Sequence, residues 1–413
     1  GKAERTMTKG EKKLIEAITK YKSLLFFLAV SLIGAYVRYN ARAFISEDMS
    51  YYLLDWFDQI KENGIFSLKE QVGNYNILYQ TMIALMTYIP WKPVYLIKCF
   101  SILFDYLLAF SVADFIRKQF GEHRKSLYFL VPNGVVLLLP TVVLNSAYWG
   151  QCDAMYTFFI FEAMVTLYEE KYRRCFFLFG IALAFKLQAI FFLPFVICLY
   201  FYRKKFSLFN LLITIGSFWL SGLPAYFMGR GLLTPFSVYI AQSDEYRAMY
   251  LNISSFWILV GGHYDFLKSL AMGVTILLLG IGLLVVMSGR KKLDTPEEYL
   301  GFLCWTLWTC TMYLPAMHER YTFLLDIMLI ALVAVQVRYL PYAVLSVLLS
   351  TITYGNYLFQ NGAVDKYFAA VQVGMWFAFT YRIFLKQTAS PQAQVSGEAC
   401  QRDGGENEKR EGC

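Results

Sequence analysis

The chain has 413 residues, of which 57% are hydrophobic and only 16% charged, and its mean hydropathy is +0.44. Soluble domains carry about 25% charged residues, so the composition excludes an ordinary soluble protein and predicts an all-α polytopic membrane protein. The net charge of +8 follows from membrane topology, because Lys and Arg gather on cytoplasmic loops; no basic soluble face suits nucleic acid.

The N-terminus, "GKAERTMTKGEKKLIEAITKYK", is basic and lacks a cleavage signature. It predicts a cytoplasmic segment over residues 1–22 leading into a retained first helix. A spanning helix needs about 20 mostly apolar residues. Residues 24–40, 95–117, 126–146, 206–226, 266–288, 298–316, 321–337, 339–355 and 366–385 meet that need. Residues 154–169 make a shorter span, and 175–202 is one long apolar run interrupted by Lys186 and Gln188. That interruption predicts a hairpin of two short helices with "FKLQ" at the turn. Residues 45–91 form a first outer loop, in which 77–91 is expected to lie at the membrane face as a half-length helix. With that assignment the basic stretches at the N-terminus, Arg117 to Lys125, "EEKYRR", Arg203 to Lys205 and Arg290 to Lys292 all fall on one side. About twelve transmembrane helices result, in one membrane domain over residues 23–386, followed by a polar tail, 387–413, expected to be cytoplasmic and disordered. The eight cysteines carry no CxxC or Cys/His spacing, and Cys99, Cys175, Cys198, Cys304 and Cys310 sit in apolar runs.

The same layout gathers the polar, non-basic stretches on the outer face: "ISEDMSYYLLDWFDQIKENG", "NSAYWGQCDAMY", "AFKLQAIFFLP", the loop from Arg230 to Leu251, "PAMHERYTF" and "YGNYLFQNGAVDKY". Ionisable groups at membrane depth are costly and mark a substrate path by default. In the first stretch Tyr52, Trp56 and Ile60 recur at helical spacing, which predicts an amphipathic surface helix with Asp55, Asp58, Lys61 and Glu62 wet. Asp48 precedes it, either as a helix cap or facing a cavity. Trp149, Gly150, Gln151 and Asp153 mark the outer end of a span, Asp153 standing as an N-cap or a ligand contact. Lys186, with Gln188 beside it, either snorkels to the interface or binds an anion. Arg320 has the fork that suits phosphate, with His318 as a further anion binder; Glu319 and Arg320 read otherwise as an ion pair at the rim. Asp105 and Asp326, inside spans, are expected to partner a buried base such as Lys98.

In sequence order, "EDMSYYLLDWFDQIKENG", "NYNILY", "IKCFSILFDYLLA", "YWGQCDAMYTFF", "AFKLQAIFFLP" and "MHERYTF" resemble the bacterial branch of the polytopic GT-C glycosyltransferases, relatives of the second GPI mannosyltransferase. The resemblance covers roughly residues 24 to 385. It implies a GT-C-like bundle with amphipathic helices on its outer face, set in a bacterial plasma membrane. The implied activity is inverting transfer of a sugar, mannose by the family's label, from a polyprenyl-phosphate donor to a glycan, lipid or protein acceptor outside. The family's catalytic base is an acidic residue just after the first span, which by position is Asp48, with Glu47 its nearest competitor. Lys186, Gln188, His318, Arg320, Trp149, Gln151 and Asp153 become the substrate- and phosphate-binding set. This loop reads "SEDM" where relatives commonly have Gly-Asp and an aromatic, so the base is assigned by position. No cofactor is required; the acidic pair that binds a metal in some members is represented at most by Glu47–Asp48, which leaves a divalent metal open but not implied. The competing reading from another class is a flippase for lipid-linked saccharides, which needs a charged cavity open to both sides and often repeat symmetry; no internal repeat is visible here.

Overall fold

The computed structural model describes residues 7–386, and the tail expected to be disordered over 387–413 lies outside the described residues. The described chain is helical throughout, apart from one two-residue parallel pairing.

Helix α1 (Lys9–Ala41) is opened by a reciprocal cap, in which Thr8 Oγ1 accepts from the Glu11 amide and Glu11 accepts from the Thr8 amide. It passes unbroken through residue 22, so the basic lead-in and the first apolar run are one helix. Ser46 Oγ accepts from the Met49 amide at 3.1 Å and starts a wide π turn, Met49–Leu53, that continues as α2 (Leu54–Asn63). The helix is amphipathic, with Asp55, Asp58, Lys61 and Glu62 exposed as the spacing predicts, but its apolar face is turned by one residue: Leu53, Phe57 and Ile60 are buried, whereas Tyr52 is exposed and Trp56 half-buried. α3 (Ile77–Met86) is a ten-residue apolar helix, too short to cross a bilayer. α4 (Pro93–Gln119) has proline in its first turn and Arg117 and Lys118 in its last, both where the backbone and helix dipole favour them.

α5 (Leu127–Leu138) and α6 (Pro140–Val143, prolonged by a π turn to Tyr148) are set 50° apart at Pro140, whose ring cannot continue the preceding helix. α7 (Asp153–Tyr168), α8 (Tyr172–Phe185) and α9 (Leu193–Arg203) follow, with α8 ending at Lys186 in extended backbone. The hairpin read from "FKLQ" is present: Lys205 at the end of α9 pairs with Glu170 at the start of α8 at 2.7 Å. Next come α10 (Leu211–Leu220), α11 (Leu223–Phe227), α12 (Thr234–Glu245), α13 (Trp257–Val260) and α14 (Tyr264–Met287). α15 (Pro296–Tyr313), α16 (Phe323–Val335), α17 (Leu340–Phe359) and α18 (Lys366–Phe384) close the bundle. Every residue of α15 from Tyr299 to Tyr313 is buried, which makes it the central helix of a core shared with α4, α7, α8 and α16.

Among the described residues four helices are long and apolar enough to cross a membrane, or five if the bent pair at Pro140 is one span. α1 and α14 leave most of their apolar surface exposed, the pattern of helices whose solvent is lipid.

The bundle has two chemically different ends. At one, Lys118 and Lys171 both reach Glu169, at 3.6 and 2.6 Å, and Tyr202 donates to Asp294 at 2.7 Å. Three of the basic stretches grouped by charge counting, Arg117 to Lys125, "EEKYRR" and Arg203 to Lys205, therefore meet there. α7 then runs about 24 Å to the other end, where Asp153 and Lys186 lie. One sequence expectation is corrected on the way. Asp105 pairs with Arg38 at 3.0 Å, both fully enclosed, whereas Lys98 donates to the Ala41 and Phe44 carbonyls at 2.9 and 2.6 Å and closes the C-terminal end of α1. Asp326 accepts from Ser346 at 2.7 Å and has no basic partner among the described residues.

Candidate functional site

At the second end a cleft of about 500 Å³ is lined from five of the polar stretches, with Asp48, Tyr52, Gln151, Lys186, Gln188, Tyr246, His318 and Arg320 on its walls. The sixth stretch supplies Tyr357, which touches Asp48 from behind.

Asp48 occupies the position before the π turn, but its carboxylate caps nothing there. It turns inward, Oδ2 accepting from Trp149 Nε1 at 2.8 Å and Oδ1 from Tyr357 Oη at 2.7 Å. Glu47, its neighbour, is exposed and is absent from the cleft lining. Trp149 is wholly buried, so the indole expected to contact substrate instead stands behind the wall and holds Asp48. The turn that aims it needs Gly150: its φ is +67°, and a Cβ would lie 2.3 Å from Met49 Cε.

Asp153 is likewise beneath the cleft and fully enclosed. It is the first residue of α7, and its carboxylate meets Lys186 Nζ at 2.5 Å, Asn145 Nδ2 at 2.8 Å and Arg320 Nη1 at 3.9 Å. Asp153 therefore stands as counter-ion to the basic residues and does not itself line the cleft. Such a carboxylate is tolerable only because every partner is present. Lys186 does not snorkel: its side chain is 8% exposed and is held by Asp153.

The two strands, β1 (Tyr250–Leu251) and β2 (Met317–His318), pair in parallel and fix the loop that carries His318, Glu319 and Arg320. Arg320 donates to Gln151 Oε1, which also accepts from Tyr75 Oη at 2.8 Å, and its guanidinium lies 5.2 Å from the Trp149 ring centre. The His318 ring is set against Tyr246 and Tyr321, with centroids 4.6 and 5.1 Å apart. Burial, with Arg320 and Lys186 nearby, lowers its pKa to about 3. His318 is thus a neutral hydrogen-bonding group near pH 7, not the cation a charged anion binder would be. Burial also raises the Glu319 carboxyl to about 7, against the pull of Arg320. Glu319 lies 3.8 Å from Arg320 Nε and is buried, so the pair is not at the rim.

Among the described residues Gln188 Oε1 and Arg320 Nε are buried without a hydrogen-bond partner, an orphan acceptor and an orphan donor at one cleft. Buried polar groups are normally paired. Leu53, Trp56, Phe185, Ile190, Phe191 and Tyr321 make an apolar and aromatic part of the wall, while Asn74, Gln242, Ser243, Glu245 and Lys268 add polar lining elsewhere. The sequence reading did not single out Tyr357, Tyr75, Asn145, Lys268 or Glu245. Tyr357 and Tyr75 lay inside stretches it quoted. Lys268 lay within a predicted span, and its membrane-depth charge was the signal overlooked.

No three His, Cys, Asp or Glu side chains of the described residues are grouped as a metal site would need. No family model matches this chain, and no curated protein matches it.

Proposed function

We propose that the chain is a GT-C-like membrane glycosyltransferase of about twelve spans, moving a sugar from a polyprenyl-phosphate donor to a glycan, lipid-linked or protein acceptor. In this reading the cleft faces outside the plasma membrane of a bacterium, and the basic end faces the cytoplasm. The observation that supports it best is one juxtaposition: the carboxylate of Asp48 shares a cleft with Lys186 and Arg320, under an aromatic and apolar wall. A phosphate needs the cations, a polyprenyl chain the wall, and an acceptor hydroxyl the carboxylate.

Asp48 takes the proton of the acceptor hydroxyl as that oxygen attacks the anomeric carbon. The bond from the carbon to the phosphate oxygen breaks on the opposite face, its electron pair leaving with the lipid phosphate, so the anomeric centre inverts. Lys186 and Arg320 meet the charge that develops on the phosphate. Both cations share Asp153 as counter-ion, Lys186 at 2.5 Å and Arg320 at 3.9 Å.

The test is a binding titration of purified protein in lipid with a short-chain polyprenyl-phosphate mannose, against the same polyprenol lacking phosphate. Arg320→Ala and Lys186→Ala should each weaken the phosphate ligand roughly 10- to 100-fold, the range of a charge-assisted contact, with the alcohol unaffected. Unchanged affinity in both variants returns these residues to holding Asp153.

A further inference from the structure

Three segments far apart in sequence meet at Asp48. Its two oxygens are each taken by one donor, Trp149 Nε1 at 2.8 Å and Tyr357 Oη at 2.7 Å, from positions 101 and 309 residues away. The donors are themselves locked. The Trp149 and Tyr357 rings stack with centroids 4.7 Å apart and planes 15° from parallel, and Tyr354 closes the indole edge at 5.4 Å and 83°. Trp149 is wholly enclosed, and Arg320 lies against its ring at 5.2 Å. Neither Trp149 nor Tyr357 lines the cleft.

We propose that Trp149 and Tyr357 are positioning residues for the base: a stacked pair that fixes both rotations of the Asp48 carboxylate while leaving its remaining lone pairs for the acceptor hydroxyl. This rests on the reading of Asp48 as the base. A carboxylate has about four lone-pair sites, and the two donors occupy one on each oxygen. Without them the carboxylate, on helical backbone just ahead of the π turn, is free to rotate about its side-chain bonds in the cleft. Catalysis by a positioned base depends steeply on that angle, and a misplacement of about 1 Å can cost about 100-fold. The stack also joins the base to Arg320, so the carboxylate and the phosphate cation take their places from one indole.

Two substitutions separate the hydrogen bonds from the packing. Tyr357→Phe removes one hydroxyl and keeps the stacked ring. Trp149→Phe removes the indole N–H and keeps an apolar ring under Arg320. Steady-state transfer from a short-chain polyprenyl-phosphate sugar, with Asp48→Asn alongside, reads the result. The expected outcome is a kcat lowered roughly 10- to 100-fold in each variant, with donor KM and donor affinity unchanged in Tyr357→Phe, the mark of an interaction that acts only in the transition state; Trp149→Phe, which also alters the ring beneath Arg320, is read on kcat alone. If Trp149→Phe does not fold, Tyr357→Phe alone carries the test. A kcat within about twofold of wild type in folded Tyr357→Phe, or a raised donor KM with kcat intact, overturns the proposal while Asp48→Asn stays inactive. Full turnover by Asp48→Asn instead removes the base itself, and that failure is read directly from its own trace.

Discussion

His318 and Glu319 are adjacent, and burial pushes their protonation in opposite directions from the ordinary values. The folded Glu319 carboxyl, raised to about 7, holds a proton that an unfolded chain with a pKa of 4.5 has released. Stability from this group therefore falls as pH rises from about 4.5 to about 7, because the unfolded state binds fewer protons there. For His318 the folded value of about 3 lies below the unfolded 6.5, so its share of stability is present above 6.5 and is lost as pH falls towards 3. Glu319→Gln isolates the first effect. The melting temperature of this variant in detergent should pull ahead of wild type progressively from pH 4.5 to 7 and stay level above. A gap that does not change across that window contradicts the buried, proton-holding carboxyl. At this scale the charged members of the site were legible, because Asp48, Lys186 and Arg320 are costly in an apolar chain. Tyr357 was not. With 31 tyrosines in the sequence, nothing marks the one whose hydroxyl meets a carboxylate, and only the stacking on Trp149 reveals it.

Between helices, close approach is set by small residues. Gly180 of α8 faces α10, where an added Cβ would lie 1.8 Å from Ser217 Oγ and 2.4 Å from the Thr214 carbonyl. Ser217 and Thr214 themselves donate to the Phe177 and Phe176 carbonyls at 3.0 and 2.7 Å, the small-residue contact that substitutes for a hydrophobic drive within lipid. Gly180→Ala should force the helices apart and cost about 1 to 3 kcal/mol as overpacking does. Gly216→Ala, where nothing lies within 4 Å, should be neutral or slightly stabilising; equal melting temperatures for the two variants would contradict the close crossing. The hairpin break at Lys186 and the amphipathic α2 were readable from periodicity. The partner of Asp105 was not: Lys98 sits two turns before it on the same helix, about 10 Å away along the axis, and Arg38 on α1 comes near only through the packing of α1 against α4 and α5.

Across the whole molecule, charge counting sorted the loops into two groups before any contact was known, and the fold brings members of each group together at its own end. The reason is physical: polar loops between spans have only two places to go. The number of spans was less legible, because α7 and α16 are short apolar helices deep in the bundle, where length and hydropathy no longer separate a crossing helix from a buried one. The central claim is that the polar end performs glycosyl transfer with Asp48 as the base. The measurement that tests it most directly is a transfer assay on purified protein in lipid vesicles, using a panel of radiolabelled short-chain polyprenyl-phosphate sugars and membrane-extracted acceptor, with Asp48→Asn in parallel. The account predicts label on the acceptor with wild type and none with Asp48→Asn at matched donor binding. No transfer from any donor, together with protein-dependent movement of a lipid-linked sugar across the vesicle wall, would contradict it and make the chain a flippase.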